Sequence, residues 1–112
     1  MDRFSDRRVI VTGAGSGIGQ ATVARLLDEG GTVVACDISA EGLARTQEAA
    51  EKAGTAARLT TTVLDISSEE AVVKGVDAAI ADMGGLDVLV NVAAMETCGH
   101  THEVSLADWN RT

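Results

Sequence analysis

A parallel α/β sheet with helices on both faces is the fold class predicted by three features of this 112-residue sequence. Four apolar runs, Arg8 to Thr12, Thr32 to Asp37, Arg58 to Leu64 and Asp87 to Asn91, alternate with segments of helical period, the pattern of repeated strand and helix units. The Val, Ile and Leu residues of these runs lack polar alternation, as strands buried on both faces require. Between the first run and the first helix lies the glycine-rich stretch T-G-A-G-S-G-I-G, Thr12 to Gly19.

Each element has a local cause. The first helix opens at Ile18 and Gly19 and carries a row of Gly19, Val23, Leu26, Leu27 and Gly30 at helical spacing. The second runs from about Ala40 to Ala53 and stops at Gly54. In the third, Ser67 and Glu70 form a capping box, Val72, Val76, Ala79, Ile80 and Met83 share one face, and Gly84 and Gly85 end the helix. A fourth begins near Ser105 with Asp108 in the capping position, and Trp109 is expected to pack it on the sheet. Right-handed crossovers then put two helices on one face and the third on the other. The predicted architecture is an incomplete Rossmann-type doubly wound sheet in three layers, strand order 3-2-1-4, occupying residues 1–112 as part of a single domain. Its fourth strand, V-L-V, is an apolar edge of a kind that proteins normally cover or charge. Aggregation, partner pairing or poor folding is therefore expected, and Thr112 is expected to mark a cut and not a domain boundary.

The glycine-rich stretch reads as a dinucleotide-binding turn. Gly13 lets the chain leave the strand sharply, while Gly15 and Gly17, with Ser16 and Ile18 beside them, leave bare backbone where a pyrophosphate meets amide N–H groups at the positive helix end. Gly19, lacking a side chain, lets the helix sit close on the strand. Asp37 ends the second run eighteen positions after Gly19, where a carboxylate accepts from both hydroxyls of an adenosine ribose. A 2′-phosphate there would be repelled, and neither Ser16 nor Ile38 offers a cation, so the reading is NAD over NADP. The alternative for Asp37 is a solvated carboxylate capping a helix that begins near Ser39.

The same stretch, through its glycine spacing and Ile-Gly ending, resembles the cofactor signature of the short-chain dehydrogenase/reductase family. Two further stretches match that family in order: L-D-I, Leu64 to Ile66, and D-V-L-V-N-V-A-A, Asp87 to Ala94. The resemblance runs from about Arg8 to Thr112. It implies that Asp65 contacts the adenine amino group, that Ile66 offers backbone, and that Asn91 with Ala93 lines the ribose and nicotinamide side. The family usually writes the last motif N-N-A-G. Here Val92 removes an amide, and Ala94 adds a methyl group near the expected cofactor path. The resemblance also implies that acid/base chemistry belongs to a Tyr, a Lys four positions later, a Ser, and an Asn in the helix after the fourth strand. The sequence has no Tyr, and its only lysines, Lys52 and Lys74, fall in the second and third helices. The family Asn would fall several residues beyond Trp109, so Asn110 does not take its role. No catalytic residue is assigned, and the chain alone is expected to transfer no hydride. A small alcohol or carbonyl substrate would belong to a full-length parent.

Seventeen carboxylates against nine Lys and Arg, a formal net charge of -8, argue against nucleic acid and against anionic membranes. No apolar run approaches the roughly 20 residues that cross a bilayer, and the start M-D-R-F-S-D-R-R has no signal-peptide core, so the expected location is cytoplasmic. Cys36 and Cys98 form no disulfide framework and are read as reduced. Cys98, His100, His102 and Glu103 are metal ligands by type, but a loop spacing shows no convergent geometry, and no metal is assigned. The preferred reading is the cofactor-binding half of an NAD-dependent oxidoreductase, inactive alone. Against it stands a non-enzymatic nucleotide-binding or interaction module that pairs through the fourth strand. A methyltransferase-like nucleoside binder is a weaker third, since the T-G start, Asp65 and N-V-A-A speak against it.

Overall fold

A computed structural model describes residues 2–95 and 99–112. Strands β1 (Arg8–Thr12), β2 (Thr32–Asp37), β3 (Leu59–Val63) and β4 (Val88–Asn91) form one parallel sheet in the order β3-β2-β1-β4. Helices α1 (Gly17–Asp28), α2 (Ala40–Ala53), α3 (Glu69–Met83) and α4 (Leu106–Arg111) follow the four strands in turn.

The two inner strands are buried on both faces, which explains their unbroken apolar sequence. On one face, Val9, Val11, Val33, Ala35 and Leu59 pack with Val23, Leu26 and Leu27 of α1 and with Leu43 and Ala50 of α2. On the other, Ile10, Val34, Cys36 and Leu64 meet Ala79 of α3, with Ala71, Val76 and Met83 partly buried around them. Val9, Val11, Val23 and Val33 are fully buried, and each such side chain stabilises the fold by roughly 1.5–3 kcal/mol.

The boundaries differ from the sequence reading where side chains compete for backbone. β3 begins at Leu59 because Ala56–Arg58 turns as a 3-10 helix, and the Arg58 guanidinium donates to the carbonyl of Gly31 at 2.6 Å. The capping box on Ser67 and Glu70 does not form. The amide and hydroxyl of Ser67 both donate to Asp65 Oδ1, at 2.9 and 2.6 Å, so Ser68 becomes the N-cap and accepts from the amide of Ala71. Ile80 turns out of the α3 packing face, at 37 % exposure. Trp109 does not pack α4 on the sheet. It is 64 % exposed, in a six-residue helix that buries none of its residues. Ser105 caps that helix by accepting from the amide of Asp108.

Two ion-pair sites tie the ends of elements together. The Glu29 carboxylate, buried at the end of α1, meets Arg3 at 2.6 Å and Arg25 at 3.4 Å. Burial alone would raise its pKa, but the hydrogen bonds from Arg3 and Arg25 outweigh that and hold it below the usual carboxylate range. Asp87 fixes the start of β4 to β1. Its Oδ2 accepts from both the backbone amide and Nε of Arg8 at 2.9 Å, while Arg8 Nη1 donates to the carbonyl of Gly84 at 2.8 Å. Among the described residues β4 pairs only with β1. Leu89, in register with Ile10, is 53 % exposed there. No helix among the described residues is long and apolar enough to cross a membrane.

The side-chain and backbone hydrogen bonds from Arg8 lower the Asp87 pKa to about 2, against about 3.9 in an unfolded chain. The stabilisation this carries is complete above the unfolded value and is lost as pH falls through the folded one. Asp87→Asn should therefore lower the melting temperature at pH 6–7, and the gap from wild type should close as both proteins are taken from pH 4 to pH 2. A pH series of thermal melts with a constant gap would remove this role from Asp87.

Candidate functional site

The segments that follow the four strands meet at the carboxyl end of the sheet. There the strand order reverses between β1 and β4, the position at which open α/β sheets form ligand crevices. A cleft of about 770 Å³ lies at this end. From the turn after β1 it is lined by Gly13, Ser16, Gly17 and Ile18, and from the end of β2 and just beyond it by Cys36, Asp37 and Ile38. Asp65 and Ile66 line it after β3, and Ala93 and Ala94 after β4. Three of the sequence-predicted residues are not part of this lining. Gly15 and Gly19 are buried, and Asn91 is exposed at the end of β4.

The glycines do different work from one another. Gly13 has a φ of +67°, and a Cβ there would stand 2.7 Å from the amide nitrogen of Ala93. It brings the first turn against the segment after β4. Gly17 also has a positive φ, +50°, but a Cβ there would meet nothing within 4 Å. It is exposed, and Ser16, the N-cap of α1, makes no side-chain capping bond. The start of α1 thus presents uncapped backbone, with the helix dipole behind it, to the cleft. A Cβ on Gly19 would collide with the carbonyl oxygen of Gly13, so helix and turn are in direct contact. Gly15, assigned above to pyrophosphate together with Gly17, is instead committed inward. Its amide donates to Asp37 Oδ2 at 2.9 Å, and a Cβ on it would stand 2.9 Å from the Asp37 carboxyl carbon.

Asp37 is therefore oriented by the turn itself. Oδ2 accepts from Gly15, and Oδ1 accepts from the amide of Ser39 at 2.9 Å. The N-cap of α2 is Ser39, whose hydroxyl accepts from the amide of Gly42 at 3.0 Å. A carboxylate offers about four acceptor positions. Two are taken here, which leaves acceptor capacity on a residue that lines the cleft. Farther along, the Asp65 pKa is lowered by the hydroxyl and then the amide of Ser67, both bonded to Oδ1. Its Oδ2 makes no hydrogen bond among the described residues. Ile18, Ile38 and Ile66 are exposed around the cleft and form apolar walls beside these carboxylates. Cys36 also lines it, but burial pushes its thiol up to about 11, so it stays protonated at neutral pH.

Several supporting residues carried no motif. Thr12 Oγ1 accepts from the amides of Val92 and Ala93, each at 3.2 Å, and so holds the segment after β4 to the end of β1. Gln20, Gly42 and Thr46 pack behind the turn. Their one sequence signal is a Thr in the buried row Gly42, Leu43, Thr46, Ala50 of α2. His100 and His102 stack with ring centroids 5.8 Å apart, and Glu103 lies 3.6 Å from His102. Cys98 is outside the described residues, and among those described no three His, Cys, Asp or Glu residues converge.

Residues 7–112 match the family model described as short chain dehydrogenase. The chain is 40 % identical over 111 residues to cis-4-hydroxycyclohexanecarboxylate dehydrogenase of Sinomonas cyclohexanicum, a match covering 98 % of this chain and 43 % of that protein. It also superimposes on a short chain dehydrogenase from Mycobacterium smegmatis with a TM-score of 0.88 and 32 % identity, over 99 % of this chain and 46 % of the other. A short chain dehydrogenase from Burkholderia cenocepacia, in complex with NADP, gives a TM-score of 0.86 at 32 % identity, over 98 % and 44 % of the two chains. The chain thus spans less than half the length of the curated relatives it matches. On the match over nearly its whole length, the chain belongs to the short-chain dehydrogenase family.

Proposed function

We propose that the cleft at the carboxyl end of the sheet binds a nicotinamide dinucleotide, NAD in preference to NADP. The chain then acts as the cofactor-binding part of an oxidoreductase for small alcohol or carbonyl compounds. The observation that carries this reading is the bond from the Gly15 amide to Asp37, which joins a phosphate-type glycine turn and a ribose-type carboxylate into one rigid unit. The residues present fit the group. Gly17 leaves open space at the start of α1 where a pyrophosphate would sit, Asp37 retains acceptor capacity for the adenosine ribose, and Asp65 keeps one oxygen for the adenine amino group. Asn91, exposed at the end of β4, and Ala93 would line the ribose and nicotinamide side, with Ala94 bordering the cofactor path.

When bound, the nicotinamide ring supplies the hydride-exchanging carbon. The chain's own residues orient the cofactor and shield one side of it, and no step of proton transfer is assigned to them. The 112 residues contain no Tyr to protonate or deprotonate a substrate oxygen, so the chain by itself is expected to bind without turning over. A cytoplasmic location accords with this role. The preference for NAD rests on Asp37 alone, where a 2′-phosphate would face a carboxylate and neither Ser16 nor Ile38 offers a cation, the guanidinium lining the cleft being that of Arg111 in α4. Losing charge-assisted hydrogen bonds to the ribose should weaken NAD binding by roughly tenfold in Asp37→Ser. NADP binding should be unchanged or stronger. Calorimetric titration of both cofactors against both proteins reads the ratio, and an unaltered NAD-to-NADP preference would remove the assignment. S-adenosylmethionine should leave the wild-type melting temperature where it is.

A second reading, an interaction module that pairs through β4 with a copy of itself or with a relative, is favoured by one observation. β4 has a neighbour on one side only among the described residues, and Leu89 is exposed beside it. Light scattering behind size exclusion tests self-pairing: a dimer dispersed by Leu89→Lys supports it, and a monomer at every concentration counts against it.

A further inference from the structure

α2 carries a polar residue where its packing face is otherwise apolar or bare. Gly42, Leu43 and Ala50 are buried, and Thr46 lies among them at 2 % exposure. A hydroxyl in such a place costs stability unless it is hydrogen-bonded. Thr46 Oγ1 donates to the carbonyl of Ala14, 2.7 Å away, and accepts from the side-chain amide of Gln20 in α1 at 3.0 Å. The carbonyl of Gly42 is a second acceptor at 3.2 Å, but a hydroxyl has one proton, and the shorter contact is to Ala14.

Ala14 stands between Gly13 and Gly15, so this bond holds the glycine turn itself. The turn is gripped at the same place by β2, since the Ala14 amide donates to the carbonyl of Cys36 at 3.0 Å and the Gly15 amide donates to Asp37. Gly42 closes on it as well. A Cβ on Gly42 would stand 2.6 Å from the Gly15 carbonyl oxygen and 3.0 Å from its Cα, so any other residue there would push α2 away. The peptide joining Ala14 and Gly15 thus has its oxygen fixed by Thr46 and its nitrogen fixed by Asp37. Rotating that peptide would move the carboxylate and the open backbone at Gly17 together.

We infer that Thr46, supported by Gln20, is a positioning residue for dinucleotide binding: it sets the orientation of the Ala14–Gly15 peptide, and through it the placement of Asp37 and Gly17. The inference rests on the proposal that the cleft takes a nicotinamide dinucleotide. Its test compares NAD affinity and melting temperature, on the full chain, for three variants. Thr46→Val removes the hydroxyl at nearly constant shape, Thr46→Ser keeps it, and Leu59→Val trims the same core at the opposite end of the sheet.

Loss of one buried hydrogen bond should weaken NAD binding roughly five- to tenfold in Thr46→Val, with Thr46→Ser within about twofold of wild type. Leu59→Val should lower the melting temperature and leave NAD affinity unchanged. The inference is overturned if Thr46→Val binds NAD as wild type does, if Thr46→Ser is no better than Thr46→Val, or if Leu59→Val loses affinity in step with its melting temperature. Should Thr46→Val not fold, Gln20→Ala frees the hydroxyl proton to turn toward Gly42. It should give a smaller but measurable loss, and no loss would overturn the inference. A wild-type chain that binds no NAD overturns the functional reading and this inference together. Normal wild-type binding with an unaffected Thr46→Val overturns the positioning role alone.

Discussion

The bond from the Gly15 amide to the Asp37 carboxylate is the constraint around which the carboxyl end of this sheet is organised. Asp37 is tied on three sides. Its backbone carbonyl accepts from the amide of Leu64 after β3, one carboxylate oxygen accepts from the turn after β1, and the other accepts from the amide of Ser39 before α2. Three strand ends therefore meet at one residue. The fourth is brought in by Thr12, whose hydroxyl accepts from Val92 and Ala93, and by the close approach of Gly13 to Ala93. Bonds of this kind each contribute roughly 0.5–1.5 kcal/mol, and somewhat more where a carboxylate accepts. Their larger consequence is geometric, since a site assembled from four separate loops needs a shared anchor to keep its parts in register.

That anchor also shapes the electrostatics. A chain with a formal net charge of -8 is a poor host for an anion. Its cleft lies beside two carboxylates, Asp37 and Asp65, yet the glycine turn leaves backbone N–H groups at the positive end of α1 uncapped. Positive potential there comes from peptide dipoles and from Arg111, which also lines the cleft, and negative potential from the two carboxylates. A ligand that suits both has a phosphate at one point and hydroxyl or amino donors at others, which is the chemistry of an adenine dinucleotide. The exposed Ile18, Ile38 and Ile66 add apolar surface between the polar points.

Much of this was legible in the residues, and the reasons differ by element. β1, β2 and α2 fell where their sequences placed them, because strands buried on both faces must be continuously apolar and because Gly54 takes the left-handed position that ends a helix. The strand order is that of the doubly wound pattern, and crossover handedness set which face each helix takes. Boundaries slipped where a side chain competed for backbone groups. Asp65 took the hydroxyl and amide of Ser67, which moved the start of α3 by one residue, and Asp87 was drawn out of β4 by Arg8. Trp109 was misjudged because its size suggested burial while its short helix had no face to offer. The inward role of Gly15 and the grip of Thr46 were not legible, since both depend on contacts between residues 22 and 32 positions apart. A motif records which residues are small. It does not record what they are small for.

The assignment of the cleft to NAD depends most directly on where a dinucleotide sits. A crystal structure of the chain grown with saturating NAD measures it. The adenosine ribose hydroxyls are expected at hydrogen-bond distance, about 2.6–3.2 Å, from the free positions of Asp37, with the pyrophosphate over the exposed backbone at Gly17 and the Gly15 amide still on the carboxylate. A cleft empty under those conditions, or a nucleotide bound with its ribose away from Asp37, would contradict it.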